Sequence, residues 1–184
     1  MDKTVLAVVG MPGAGKSVAV EHILKRLAWP KVYFGGIVID EIQKRGLEVN
    51  EANERKMRED LRTEHGMGAM AVLSLPKIKE LLAASPAVLI ESHYSWEEYT
   101  VLKKEFGDAF KVLAMYASPQ TRAVRLAKRP ERPLTAEEVR SRDHSQIENL
   151  HQGGPIAIAD FTVVNEGTFD DLYRALDQVL DTLK

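Results

Sequence analysis

Two kinds of apolar spacing alternate along this chain. Unbroken apolar runs of strand length lie at Thr4–Val9, 31–34, Ala87–Glu91, 111–117 and Phe161–Val164. Between them, apolar residues recur every three or four positions: Ile23, Leu24 and Leu27 in 18–29; Ile37 and Ile42 in 37–44, with Glu41 beside them; Met57 and Leu61 in 50–63. The same spacing holds for Val72, Leu73, Ile78, Leu81 and Leu82 in 70–84, and for Leu172, Leu176, Val179 and Leu183 at the end. Unbroken runs suit strands covered on both faces, and the longer period buries one stripe of a helix. Strands alternating with helices predict an α/β fold, a three-layer α/β/α arrangement around a five-stranded parallel sheet.

Local signals mark the ends of these elements. Trp29-Pro30, Gly35-Gly36, Arg45-Gly46, Gly66 and Gly68 break the patterns. Pro76 is expected either at a helix's first turn or at a kink. Ser118-Pro119 offers an N-cap serine with proline at the first helical position. Thr135 with Glu138 forms a capping box, and Thr168 to Asp171 caps the last helix. Pro130 and Pro133 bound a hard stop, and 151–155 reads as a loop. The chain is expected to be one domain over 1–184, with a short helical lid at about 129–142 and an acceptor-side helical region at about 36–84.

The first strand runs into Gly10-Met11-Pro12-Gly13-Ala14-Gly15-Lys16-Ser17, followed by Val18 and a helix. This fits G-x-x-x-x-G-K-[ST] at every fixed position, in the strand–loop–helix context it requires. Backbone N–H groups at such a helix start bind oxyanions, and the glycines let the chain curl close to a phosphate. Lys16 is expected on the β- and γ-phosphates, and Ser17 is expected to place its hydroxyl on Mg²⁺. The implied cofactors are ATP and Mg²⁺, with GTP an open alternative as donor.

Glu91 ends the most apolar strand. It is expected to meet Mg²⁺ through water or to take the proton of an acceptor hydroxyl. Arg122, Arg125 and Arg129 share a helix face that ends at the proline-bounded segment holding Arg132. Arginines on a closing lid would stabilise the equatorial oxygens of a transferring phosphoryl group, so Arg129 and Arg132 join Lys16 and Glu91 as catalytic candidates. One of Arg140 and Arg142 is expected in that cluster and the other in solvent. His93, two residues beyond Glu91, is a weaker acceptor-contact candidate. His144 and His151 have no metal spacing, and Trp29 and Trp96 are read as packing.

Composition narrows the class. With 45% hydrophobic and 28% charged residues over 184 positions, the chain can bury its own core. A formal charge of −2 gives no reason to expect a nucleic-acid or membrane-surface partner. There is no cysteine, which excludes disulfides and thiolate zinc sites and fits a cytoplasmic compartment. Monomer and homodimer both remain open.

Residues 10–17 are similar to the G-x-P-G-x-G-K-[ST] loop of adenylate kinases, and Arg125-Leu126-Ala127-Lys128-Arg129 resembles their R-x-x-x-R segment at the lid. The resemblance implies Arg125 against the ATP base, Arg129 on the phosphates, and Asn165 and Gly167 in the loop bordering the adenine. Over nearly the whole chain the pattern resembles an adenylate-kinase-related family of P-loop nucleoside and nucleotide kinases with dephospho-CoA-kinase-like features. Further matches are Lys44-Arg45-Gly46-Leu47, Leu61-Arg62, Ala117 to Arg122, Arg142-Asp143 and Ala159 to Gly167. Two places depart. A Gly-Asp pair followed by arginine is replaced by Gly35-Gly36 and Ile39, and Asp-Gly-x-Arg is replaced by Glu91-Ser92-His93-Tyr94. The family's acceptor-side arginines are therefore missing at those places, with Arg55, Arg58 and Arg62 as unplaced substitutes. The expectation is an ATP-dependent phosphotransferase acting on a small molecule or nucleotide. The alternatives are a dephospho-CoA-kinase-like activity and a P-loop ATPase or switch with no small acceptor.

Overall fold

A computed structural model describes residues 3–92 and 94–183. His93, the acceptor-contact candidate, lies outside the described residues. The strands are β1 (Thr4–Val9), β2 (Lys31–Tyr33), β3 (Ala87–Glu91), β4 (Phe110–Tyr116) and β5 (Phe161–Val164). They form one parallel sheet in the order β2-β3-β1-β4-β5. The helices are α1 (Lys16–Leu27), α2 (Phe34–Lys44), α3 (Glu51–His65), α4 (Ala69–Ala84) and α5 (Trp96–Phe106), then α6 (Pro119–Ala127), α7 (Ala136–Glu148), α8 (Gly153–Ala157) and α9 (Phe169–Asp181).

Alternation along each strand sorts the core into two layers. Val5, Ala7 and Val9 of β1 face one side with Val88, Ile90, Val112 and Ala114, against Val38, Ile42, Met57, Leu61, Ile78 and Leu102 from α2 to α5. Leu6 and Val8 face the other with Leu89, Leu113, Met115 and Val163, against Ala19, Val20 and Ile23 of α1 and Leu172, Leu176 and Leu180 of α9. Each fully buried aliphatic side chain contributes about 1.5–3 kcal/mol by leaving water. This is the three-layer, five-stranded parallel arrangement the spacing predicts.

Several boundaries differ from the sequence reading, most of all at α2, α8, α1 and 129–142. The 31–34 strand stops at Tyr33, and Gly35-Gly36 is helical rather than a turn, because α2 begins at Phe34. Glycine disfavours helix, but burial of Phe34, Val38 and Ile42 on one face outweighs it. Gly35 also leaves room for the Tyr33 ring; a Cβ there would lie 2.3 Å from the ring's Cζ. Part of the 151–155 loop is α8, where Gly154 packs beneath Trp96. The first helix starts at Lys16 and ends at Leu27, with Ala28 in the left-handed region at φ 50°. Of the segment 129–142, expected as a helical lid, the part between α6 and α7 is a loop, and only the part from Ala136 is helical. Pro76 lies inside α4.

Ser118, Thr135 and Thr168 cap α6, α7 and α9 as expected, each accepting from the backbone N–H three residues on. Among the described residues no helix is long and apolar enough to cross a membrane.

Candidate active site

The loop after β1 emerges at the carboxyl edge of the sheet, between β3 and β4, where open α/β sheets hold ligands. Gly10 has φ 140°, and a Cβ there would sit 2.4 Å from the Met115 carbonyl oxygen. Gly15 has φ 101°, and a Cβ would meet Asn165 Nδ2 at 2.3 Å. Both positions need glycine on conformation and on space.

Side chains from three distant segments hold the loop's carbonyls. Gln152 Nε2 donates to Gly10 O at 3.1 Å. Arg122 Nη1 donates to Pro12 O at 3.2 Å. Asn165 Nδ2 donates to Ala14 O at 3.0 Å. All three side chains belong to buried residues. Lys16 Nζ lies over the loop, donating to Gly10 O at 2.6 Å and Met11 O at 3.2 Å. Burial, and then the charges of Arg129, Arg142 and Arg122, lower its pKa to about 8. An ammonium crowded by guanidinium groups is the electrostatic signature of a site shaped for a polyanion.

A cavity of about 330 Å³ opens at the loop, lined by Pro12, Gly13, Gly15, Lys16, Ser17, Val18, Arg125 and Arg129, with Tyr94, Arg142 and Gln146. Of the other loop candidates, Gly10 and Ala14 present carbonyls to the braces Gln152 and Asn165, and the Met11 carbonyl accepts from Lys16. Asn165 is 7% exposed; besides Ala14 it meets Arg125 Nη2 at 3.4 Å, so its side chain acts as a strut. Arg125 keeps a second nitrogen, Nη1, buried without a hydrogen-bond partner. Gly167 packs against Asp171 at the start of α9. Glu166, between them, accepts from the Ser118 N–H and from Thr121 Oγ1 and so helps cap α6. Arg122 is not part of an exposed basic face. Its guanidinium, 5% exposed, makes two 2.8 Å bonds to the Asp143 carboxylate.

A second cavity of about 580 Å³ adjoins the first. Tyr94, Arg142 and Gln146 line both. The far wall comes from α3, with Glu51, Glu54, Arg58 and Arg62, and from Tyr33, Phe34, Gly35, Val38 and Met70. Arg132 lines this cavity rather than the loop cavity, 3.7 Å from Glu51. Arg142 is the lid-side arginine that reaches the cluster, while Arg140 is exposed and lines neither cavity. Glu98 is 1% exposed and accepts from the Tyr94 and Ser95 N–H groups at 2.8 and 3.1 Å. Burial pushes its carboxyl up to about 7 against the pull of those amides and of Arg62.

Glu91 lines neither cavity. Its carboxylate pairs with Lys31 Nζ at 2.6 Å on the neighbouring strand. The next residue, Ser92, lines the second cavity and holds φ 67°, a left-handed conformation at the place where the resembled family carries glycine. Sequence reasoning missed Gln146, Gln152, Tyr94 and Glu98. Only the Ser95–Glu98 capping-box spacing could have marked the last; a buried glutamine has no local pattern. His151 pairs with Glu97 at 2.8 Å, His144 lies 3.8 Å from Glu148, and Trp96 stacks on Tyr99. Among the described residues no group of three or more His, Cys, Asp or Glu could hold a metal ion by itself.

A family model described as an AAA domain matches residues 9–150. The chain is 34% identical over 182 residues to the UPF0200/UPF0201 protein of Archaeoglobus fulgidus, covering 98% of this chain and 56% of that protein. It thus spans little more than half the length of that relative. It is 35% identical to a UPF0200 protein of Pyrococcus furiosus, with 97% of both chains covered, and 37% identical to one of Methanocaldococcus jannaschii, covering 97% and 89%. Among solved structures, TT1252 from Thermus thermophilus superposes with a TM-score of 0.71 at 20% identity over 100% of both chains. A shikimate kinase from Bacteroides thetaiotaomicron gives 0.59 at 12% identity over 98% of both, and a gluconokinase from Sinorhizobium meliloti gives 0.56 at 14% over 98% and 95%. These structures share a P-loop kinase-like fold with this chain.

Proposed function

The chain belongs to the UPF0200 and AAA-domain families, and from that premise we propose that it is an ATP-dependent phosphotransferase acting on a small molecule. The observation that carries this reading is the pair of adjoining cavities. One is built on the glycine loop, the other on α3, and Tyr94, Arg142 and Gln146 line both. A nucleotide in the first would present its γ-phosphate near an acceptor in the second, which is the positioning that dominates phosphoryl transfer.

In this reading an acceptor hydroxyl oxygen forms a bond to the γ-phosphorus. The bond from that phosphorus to the β,γ-bridging oxygen breaks, and its electron pair leaves with ADP. The hydroxyl proton goes to Glu91 once its carboxylate turns from Lys31 toward the cavity that the next residue, Ser92, lines. Lys16, Arg129 and Arg142 stabilise the charge on the transferring group. Ser17 and Glu91 supply the hard oxygen donors that suit Mg²⁺, which binds chiefly through substrate phosphates and needs few protein ligands. Bound there, the ion would neutralise phosphate charge. Arg132 sits on the acceptor side, against Glu51.

The test is transfer of labelled γ-phosphate from ATP to nucleoside monophosphates, nucleosides, dephospho-CoA and a metabolite extract. Lys16→Ala should reduce turnover at least about 100-fold with the fold intact by circular dichroism. Unchanged ATP use in that variant would sink the assignment. Hydrolysis at one slow rate whatever the acceptor would favour a nucleotide switch. Since the Lys16 pKa is lowered to about 8, nucleotide affinity should weaken as pH rises past that value and the ammonium discharges.

A further inference from the structure

The acceptor cavity leaves two buried polar atoms unmatched. Gln146 Oε1, on the wall shared with the loop cavity, accepts no hydrogen bond, and Gln146 is 9% exposed. Arg62 Nε, in a residue that lines the second cavity alone, donates none. Each such atom costs about 1–3 kcal/mol, and native proteins keep few of them. One is an acceptor next to the nucleotide; the other is a donor belonging to a cation.

The charges along this cavity are also unequal. Arg58 is matched by Glu54 at 3.4 Å, one turn back on the same helix, and Arg132 by Glu51 at 3.7 Å. Glu98 is taken up by the Tyr94 and Ser95 amides. Among the described residues Arg62 and Arg142 make no ion pair within 4 Å, and Arg142 also faces the loop cavity. Arg62 pulls on the buried Glu98 carboxyl without an ion pair to it, and its Nε is left for whatever occupies the second cavity. The α3 helix aims it there by register. Met57 and Leu61 are buried in the core, and Arg58 and Arg62, each one position later, line the cavity.

We propose that the acceptor is a small polyhydroxy compound bearing a carboxylate or phosphate group, with a hydroxyl other than the reacting one donating to Gln146 Oε1 and its anionic group on Arg62 beside Arg58. This rests on the phosphotransferase reading. The 580 Å³ cavity is within the range that encloses small-molecule ligands. A neutral analogue would leave Arg62 Nε buried and unpaired, and a site built to hydrogen-bond one group rejects molecules lacking it. Arg62 is thus assigned as the specificity residue of the acceptor side, within the Leu61-Arg62 match and away from the two places where the resembled family's acceptor arginines are replaced.

The experiment is calorimetric titration of the intact protein, saturated with a non-hydrolysable ATP analogue and Mg²⁺, using three matched probes. Gluconate carries a carboxylate, glucitol 6-phosphate a phosphate, and glucitol neither. At least one anionic probe should bind at least tenfold tighter than glucitol, and which one does so identifies the anion. Arg62→Gln should abolish that preference, and Arg62→Lys should restore part of it. Lys56→Gln, an exposed residue of the same helix that lines no cavity, should leave it unchanged. Equal binding of all three, binding of none, or an anion preference that survives Arg62→Gln would overturn the inference. Labelled transfer to glucitol without anion preference would overturn it while keeping the phosphotransferase reading. Failure of the ATP analogue to bind would sink that reading, and the probes would then be titrated alone.

Discussion

The two cavities are built on opposite plans. The loop cavity is framed by backbone whose carbonyls are held by Gln152, Arg122 and Asn165, and its charged side chains, Lys16, Arg125, Arg129 and Arg142, are all cationic, with Arg125 Nη1 left without a partner. The second cavity is lined by side chains of both signs; Arg62 Nε is unmatched there, and Gln146 Oε1 on the wall the two cavities share. The first presents one sign of charge over a braced loop. The second mixes acids and arginines. The two kinds of surface are separated in space, with Arg142 and Gln146 at the boundary.

The contrast is testable from the loop side first. Asp143→Ala should leave Arg122 buried and unpaired, destabilising the protein by about 3–5 kcal/mol in chemical denaturation. With its Asp143 partner gone, Arg122 should hold the Pro12 carbonyl less firmly, and nucleotide binding should weaken. An intact nucleotide affinity in this variant would mean that the loop does not depend on its braces.

A smaller effect should come from Glu98 on the acceptor side. Its carboxyl is raised from 4.5 to about 7, so the folded protein holds a proton that the unfolded chain releases in that interval. The stability from that proton is full below pH 4.5 and is lost as pH rises through 7, an amount of about 3 kcal/mol. Glu98→Gln keeps an oxygen for the Tyr94 and Ser95 amides and should flatten this slope in urea titrations between pH 4.5 and 8. A slope unchanged in the variant would reassign it to other groups.

The smallest effect is at Ser92. Its φ of 67° strains a residue with a Cβ, and Ser92→Gly should stabilise the fold by about 0.5–1 kcal/mol, measured as a rise in Tm. A drop in Tm would show that the hydroxyl, 3.4 Å from the Tyr94 phenol, matters more than the backbone.

What could be read from the sequence follows the same division. The strand, glycine loop and first helix are contiguous, so local spacing specified them. The five strands were legible because burial on both faces leaves long apolar runs. The start of α2 was not, since Gly35-Gly36 reads as a turn unless the burial of Phe34 and the fit of Tyr33 are known. Asn165 was singled out, but its role as a strut depends on Ala14, which is far away in the chain. The acceptor cavity brings together Tyr33, Arg62, Glu98 and Gln146 from four separate elements, and no one-dimensional spacing reports that meeting.

The position of β2 at the sheet edge has an evolutionary corollary. The chain leaves β2, forms α2, α3 and α4, and returns as β3, so Phe34, Val38, Glu51, Arg58, Arg62 and Met70 come from one uninterrupted stretch between two adjacent strands. A lineage could exchange that stretch as a cassette, or drift within it, while the glycine loop stayed as it was. New substrates would then arise by local rewriting of a single segment, and paralogues should diverge there first.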